Sequence, residues 1–219
     1  MGSKHSCATL TKRAELMFII GITGGTGAGK TTALNAAGDL GGLALDCDEI
    51  YHELLSNNKE LKAELIGNFP NILSDGEIDR KKLGKLVFND PSALLKLNKI
   101  THKYVDEDVE RLIKTWAADG GKFVAIDAIA LLESDIFRKC DVVVGITASE
   151  EIRVKRITQR DGIDTSLAQR RINAQKPDSF FIKNCDYILH NSYDIPEIFG
   201  AVCKNFFKKL LLERGAANV

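Results

Sequence analysis

The sequence predicts an α/β fold: a five-stranded parallel sheet in three layers, with an inserted helical lobe and a small arginine-rich lid. Three observations predict it. Five short apolar runs alternate with stretches of helical period, the pattern of a sheet covered by helices on both faces. The first run ends in a glycine-rich turn that opens directly into a helix. The stretch between the second and third runs is far too long for a simple crossover, so it reads as an insertion.

Taken in order, "MFIIGIT" is a buried strand, because a short apolar run bounded by glycine suits a strand covered on both faces. "KTTALNAAGDLG" has small and apolar residues at helical spacing and stops at Gly41-Gly42. "GLALD" is the second strand. From Asp48 to Trp116 the period is helical, with "NILSDGEIDR" read as a turn-rich bridge. A long helix follows, capped by Asp90 with Pro91 in its first position and ended by Gly120-Gly121. Its apolar stripe is Leu94, Leu97, Val105, Val109, Leu112 and Trp116. "FVAID", "CDVVVGIT" and "CDYILHN" are the remaining strands. Two arginine-rich helices, broken by "DGI", separate the last two strands, and an amphipathic helix closes the chain.

These elements divide the chain into residues 1–16, a tag-like or extension segment, and a single domain over 17–214. The domain has a core of 17–48, 121–150 and 184–214, a helical substrate lobe of 49–120, and a lid of 151–183. The first segment is polar and basic without a sustained period. It reads as a scar or upstream start with Met17 as the natural beginning. Competing readings are a weak targeting segment and, from "MGSKHS", a loose myristoylation pattern.

Composition bounds the function. Lys+Arg and Asp+Glu balance at 30 each in 219 residues, which argues against a general binder of nucleic acid or anionic membrane. No apolar run reaches the roughly 18 residues of a membrane span. The five cysteines are scattered, without a CxxC pair or Cys/His cluster, as free thiols of a reducing cytoplasm would be.

"GGTGAGKT" matches the phosphate-binding pattern G-x-x-x-x-G-K-[ST] through Gly24, Gly29, Lys30 and Thr31. The glycines let the backbone curl so that amide groups of Gly25, Thr26, Gly27, Ala28 and Gly29 converge on an anion. Lys30, Thr31 and Thr32 open the helix, whose N-terminal end is positive. Lys30 reaches the β/γ-phosphates and the Thr31 hydroxyl is placed for Mg²⁺. An Asn-Lys-x-Asp guanine-reading stretch is missing from the later strand ends, which weakens a GTPase reading.

Three further features carry chemistry. Asp46 and Asp48 end the second strand two residues apart and share a side if the strand continues. Asp48 is a candidate for accepting or orienting a hydroxyl proton, its other reading being a helix N-cap. Asp127 ends the third strand as a candidate Mg²⁺ ligand, direct or through water, or as a strand-terminal turn residue. Residues 153–176 hold Arg153, Arg156, Arg160, Arg170 and Arg171, half of the chain's ten arginines, against only Asp161 and Asp164. Arg156 and Arg160, spaced i and i+4, share a helix face. They either stabilise a transferring phosphoryl group or form a solvated face. His102, near the apolar stripe, reads first as a partly buried structural histidine.

In this order, "GITGGTGAGKTT", "LDCDEI", the helix carrying His102, "AIDAIALLE", "RVKRITQRD", "RRINAQ" and "YILHN" resemble the dephospho-CoA kinase family over roughly Met17 to Leu210. The resemblance implies a P-loop kinase fold like that of nucleoside monophosphate kinases. It implies ATP and Mg²⁺ as cofactors, and phosphorylation of the ribose 3′-hydroxyl of dephospho-CoA, the last step of coenzyme A synthesis. By the resemblance, Asp48 is the base or orienting group, Arg156 and Arg160 are lid arginines, Gln175 is the lid glutamine, and Asn191 lies near adenine. His102 matches a histidine usually followed by proline, where this chain has Lys103. The family's D-x-P-L-L-F-E loop appears as "DAIALLE", in which Asp127, Leu131, Leu132 and Glu133 align near the CoA-type substrate.

The expected protein is a cytoplasmic monomer or weak homo-oligomer that acts on a small molecule without nucleic acid or membrane. Two other readings stand beside this one. They are a P-loop kinase for another small hydroxyl acceptor, a nucleoside or nucleotide, and a catalytically silent ATP-binding module.

Overall fold

The computed structural model describes residues 17–88 and 90–216. The proposed extension over 1–16 lies outside them. Two compact units are present. One takes the chain up to Asp46 and again from Ile113 onward; the other is Cys47–Leu112.

In the first unit, β1 (Phe18–Gly24), β2 (Leu43–Asp46), β5 (Phe123–Asp127), β6 (Val142–Thr147) and β7 (Tyr187–His190) form one parallel sheet, ordered β2-β5-β1-β6-β7. β1 lies at the centre, paired with β5 through Ile22 and Asp127 and with β6 through Gly24 and Ile146. A central parallel strand is covered on both faces, which is why "FIIGITG" is nearly all apolar. Phe18, Ile20 and Ile22, alternate residues of β1, point into one core. There they join Ala33, Leu34, Ala36 and Ala37 of α1 (Lys30–Gly38) and Phe199, Cys203, Phe207 and Leu210 of α9 (Pro196–Glu213). Two aspartates fix the start of the sheet: Asp141 Oδ2 accepts from the Ile19 N–H at 2.7 Å, and Asp186 Oδ2 from the Val143 N–H at 2.7 Å.

Between β6 and β7 run α6 (Glu150–Asp161), α7 (Thr165–Asn173) and α8 (Asp178–Asn184). The sequence reading gave two helices here; α8 is a third. Ser149 and Asp164 cap α6 and α7 by accepting from the Ile152 and Leu167 N–H groups. Ile157, Ala168 and Ile172 give the segment its own small core.

The second unit holds α2 (Cys47–Asn57), α3 (Lys59–Asn68), α4 (Arg80–Phe88) and most of α5 (Pro91–Ala118). Its core gathers Leu55, Leu61, Leu65, Phe69, Ile72, Leu83, Ile100 and Tyr104. Asp90 caps α5 as expected, its Oδ1 accepting from the Ser92 and Ala93 N–H groups at 2.8 and 3.1 Å. Three details differ from the sequence reading. The "turn-rich bridge" contains a hairpin, β3 (Leu73–Ser74) paired antiparallel with β4 (Glu77–Ile78). Asp75 and Gly76, with φ of 52° and 83°, form its turn, the backbone that an Asp-Gly pair favours. The buried face of α5 runs through Ala93, Ile100, Tyr104, Val105 and Val109, and Leu94 is 42% exposed, so the predicted stripe was out of phase at its start. At Lys103 the helix continues unbroken. Lys103 Nζ lies 3.5 Å from Glu64, which also accepts from the Tyr104 hydroxyl at 2.8 Å. Among the described residues no helix is long and apolar enough to cross a membrane.

Candidate active site

The glycine-rich stretch leaves the carboxyl end of β1 and enters α1 at Lys30, the strand–loop–helix context its pattern requires. Gly29, with φ of 108°, occupies the N-cap position and has no side chain to offer the first N–H groups of α1. Those groups therefore remain available to an external acceptor. Lys30 is half-buried and Thr31 exposed.

Side chains from distant elements brace the loop from one side. Arg156 Nη1 donates to the carbonyls of Gly27 at 3.0 Å and Ala28 at 3.3 Å. Asn191 Nδ2 donates to the Ala28 carbonyl at 2.8 Å, and Asn191 Oδ1 accepts from Arg156 Nη2 at 3.0 Å. Arg153 Nε donates to the Thr26 carbonyl at 2.9 Å. The carbonyls of three successive residues, Thr26, Gly27 and Ala28, thus point at one floor. A trans peptide holds its C=O and the next N–H antiparallel, and the described peptide bonds are trans. The N–H groups of Gly27 and Gly29 are turned away from the floor, toward where an anion would sit. Ala28 N–H closes a turn on the Gly25 carbonyl at 3.2 Å.

This geometry corrects two expected placements. Arg156 spends four of its five donors on protein: two on loop carbonyls, one on Asn191, and one on the Tyr193 carbonyl at 2.5 Å. It lies beneath the loop rather than over it. Asn191 is 3% exposed with its amide engaged on both sides, so it supports the loop instead of facing a base. Burial pushes the Arg156 guanidinium pKa down, and Asp194 opposes this.

Arg160 is placed differently. Its side chain is 63% exposed, and its Nε and Nη2 bind the two carboxylate oxygens of neighbouring Asp161 at 2.7 and 3.2 Å. Arg171 also pairs with Asp161. The hydrogen bond from Arg160 holds the Asp161 carboxyl below the usual aspartate range, and the Arg171 charge adds to this. Gln175 lies against the loop: its Oε1 accepts the Thr26 N–H at 2.7 Å.

Asp127 ends β5, buried, in register with Ile22 of β1 and Asp46 of β2. The altered "DAIALLE" segment turns directly after it. Ala128 N–H donates to the Ile22 carbonyl at 3.2 Å, and Leu131 and Leu132 enter a short 3₁₀ turn, Leu131 fully buried and Leu132 half-buried. Glu133 pairs with Lys176 at 2.8 Å. Asp46 is the last residue of β2 and Cys47 the first of α2, so the strand does not continue and Asp46 and Asp48 do not share a strand face. Asp48 is exposed in the first turn of α2, where a carboxylate suits the positive helix end; it is the second residue of the helix rather than the expected cap. Asp48 and His102 belong to the second unit, and His102 is half-buried on α5.

Sequence reasoning missed Arg153 as a site residue, counting it only among the basic residues of its window. Its signal was available: an arginine three residues before Arg156 lies on nearly the same helix face.

The comparisons fit this architecture. The dephospho-CoA kinase family model matches residues 18–197. The dephospho-CoA kinase of Dehalococcoides mccartyi is 37% identical over 178 residues, covering 80% of this chain and 89% of the relative. Among solved structures, a Thermus thermophilus protein superposes with a TM-score of 0.75 at 27% identity, covering 90% of this chain and 97% of its own. The dephospho-CoA kinase from Campylobacter jejuni does so with a TM-score of 0.63 at 25% identity, covering 91% and 98%. With the phosphate loop in its strand–helix context and a match extending from β1 into α9, the chain belongs to the dephospho-CoA kinase family.

Proposed function

We propose that this chain transfers the γ-phosphoryl group of ATP to the ribose 3′-hydroxyl of dephospho-CoA, with the following division of labour. The loop is the carrying observation: three carbonyls held down by Arg153, Arg156 and Asn191 leave outward amides preorganised for phosphate. Within Gly25 to Thr32, the Gly27 and Gly29 amides and the first residues of α1 bind the phosphates of ATP, with Lys30 on the β/γ-phosphates; the expected Thr26 and Ala28 amides are instead engaged by Gln175 and by the Gly25 carbonyl. Asp48 accepts or orients the proton of the attacking hydroxyl. Arg160 is the lid arginine that stabilises charge on the transferring group and helps exclude water, the competing acceptor. Arg156, Asn191 and Gln175 act through the loop as positioning residues. His102, Leu132 and the helical lobe over 49–120 serve the CoA-type substrate, and residues 151–183 serve as the lid.

Mg²⁺ fits the donor set. The Thr31 hydroxyl and the Asp127 carboxylate, direct or through water, are hard oxygen ligands of the kind Mg²⁺ takes alongside substrate phosphates. Both belong to the unit that carries the loop. Among the described residues no cluster of three or more His, Cys, Asp or Glu offers an all-protein cage. When bound, the ion neutralises phosphate charge.

Balanced charge supports action on a small molecule without nucleic acid or membrane, by a monomer or weak homo-oligomer. The free thiols of the described cysteines support a cytoplasmic setting. An acceptor panel tests the assignment. ADP release should require dephospho-CoA; release with nucleosides or nucleotides but not with dephospho-CoA would overturn it.

A further inference from the structure

One of the groups that brace the loop is a buried charge with anchors of its own. Arg153 stands in the first turns of α6 and is 5% exposed, unusual for an arginine. Its guanidinium meets three acceptors: the Thr26 carbonyl at 2.9 Å, Asp178 Oδ1 at 3.3 Å and Gln175 Oε1 at 3.4 Å. Gln175 Oε1 in turn accepts the Thr26 N–H at 2.7 Å. Thr26 is therefore gripped at both its carbonyl and its amide, and the two gripping side chains are bonded to each other. A buried charge is tolerated only when paired and hydrogen-bonded, and this one is both.

The loop sequence is fitted to this arginine. G-x-x-x-x-G-K-T specifies Gly24 and Gly29, yet this chain also has glycine at 25 and 27. A Cβ on Gly25 would fall inside van der Waals contact of Arg153 Nη2. A Cβ on Gly27 would stand 2.9 Å from the Arg153 carbonyl oxygen and 3.1 Å from its Cα. Gly27 also has φ of 75°, where a side chain is strained. Both additional glycines thus press on the same residue, one on its guanidinium and one on its backbone.

We propose that Arg153 is a positioning residue for ATP binding: anchored by Gln175 and Asp178, it holds the Thr26 carbonyl down and so keeps the loop's amides aimed at the phosphates. The inference rests on the reading of this loop as the ATP site, and it ties the α7–α8 connection to nucleotide affinity.

Steady-state kinetics of the full chain test it. Arg153→Met should raise the ATP KM on the order of 10- to 100-fold, the loss expected for a buried charge-assisted contact. The dephospho-CoA KM should stay within about twofold, since no contact to that substrate is removed. Arg153→Lys should recover part of the loss, because an ammonium can still donate to the Thr26 carbonyl. Gly25→Ala should weaken ATP binding in the parent and add nothing in an Arg153→Ala background, where the clash is gone. An unchanged ATP KM in Arg153→Met would overturn the proposal, as would activity that falls only with the folded fraction while both KM values hold. Should the Arg153 variants not fold, Asp178→Asn, which weakens the anchor of the guanidinium from outside the loop, decides: a raised ATP KM supports the proposal and an unchanged one overturns it. If the parent leaves dephospho-CoA untouched, the functional assignment fails separately, and calorimetric ATP binding by the same variants still tests the role of Arg153.

Discussion

Asn191 and Ala28 lie 163 residues apart, yet the Asn191 Nδ2 donates to the Ala28 carbonyl at 2.8 Å in a buried contact. The last strand of the sheet thereby supports the loop that follows the first. Sheet order makes this possible, because β6 alone separates β7 from β1. Asn191 itself is held by its N–H donating to the Thr147 carbonyl at 2.7 Å. Asn191→Ala leaves the Ala28 carbonyl and an Arg156 donor without this partner. The expected cost is about 1–3 kcal/mol, read as a fall in Tm by scanning calorimetry, together with a raised ATP KM.

Lys30 and Asp48 should separate kinetically. Lys30→Ala removes charge from the phosphate site and should lower kcat/KM for ATP by about 10²- to 10³-fold. Asp48→Asn keeps shape and removes a proton acceptor, so kcat should fall by about 10²- to 10⁴-fold with the ATP KM nearly unchanged. Parent-like turnover of Asp48→Asn would remove the role assigned to it.

The Asp161 cluster has a defined pH response. Arg160 and Arg171 hold this carboxyl below its usual range. A group whose folded pKa is depressed contributes stability above its unfolded pKa and loses it as pH falls through that value toward the folded one. Asp161→Asn should therefore lower Tm at pH 7 by about 1–3 °C, the scale of a surface ion pair. The gap between parent and variant should narrow as pH falls below the usual aspartate range and close once the folded Asp161 carboxyl is protonated. Thermal scans of the pair across pH check this.

The Cys203 and Cys140 thiols, one buried and one half-buried, should be silent in the native protein. Burial pushes the Cys203 and Cys140 thiols up to about 12, and Cys203, on α9, is fully buried in the main core. The thiolate is the reactive form. Alkylation followed by peptide mass mapping should leave Cys203 and Cys140 unmodified under native conditions and label both in denaturant.

Much of the fold was legible because its signals are local. Each sheet strand is a short apolar run with its own boundary, and the phosphate loop declares itself within eight residues. The α5 cap was readable from Asp90-Pro91 for the same reason. The hairpin over 73–78 was missed although Asp75-Gly76 marks its turn, because two-residue strands are too short to show alternation. The start of α2 was misread because "LALDCDEI" offers no breaker between strand and helix, leaving Asp48 on the helix rather than the strand. Arg156 and Asn191 were recognised as site residues, Arg156 as a lid arginine and Asn191 as lying near adenine, whereas both side chains brace the loop from beneath. Their contacts span 128 and 163 residues, and no sequence period encodes which side of a loop such a group approaches.

The central claim is that phosphate held by the loop passes to a hydroxyl of dephospho-CoA and not to water. The most direct measurement is mass spectrometry with ³¹P NMR on a reaction of the purified chain with ATP, Mg²⁺ and dephospho-CoA, counting ADP against phosphorylated product. The account predicts one product molecule bearing a new ribose 3′-phosphate for each ADP, with little free phosphate. ADP accompanied by free phosphate and unmodified dephospho-CoA would contradict it.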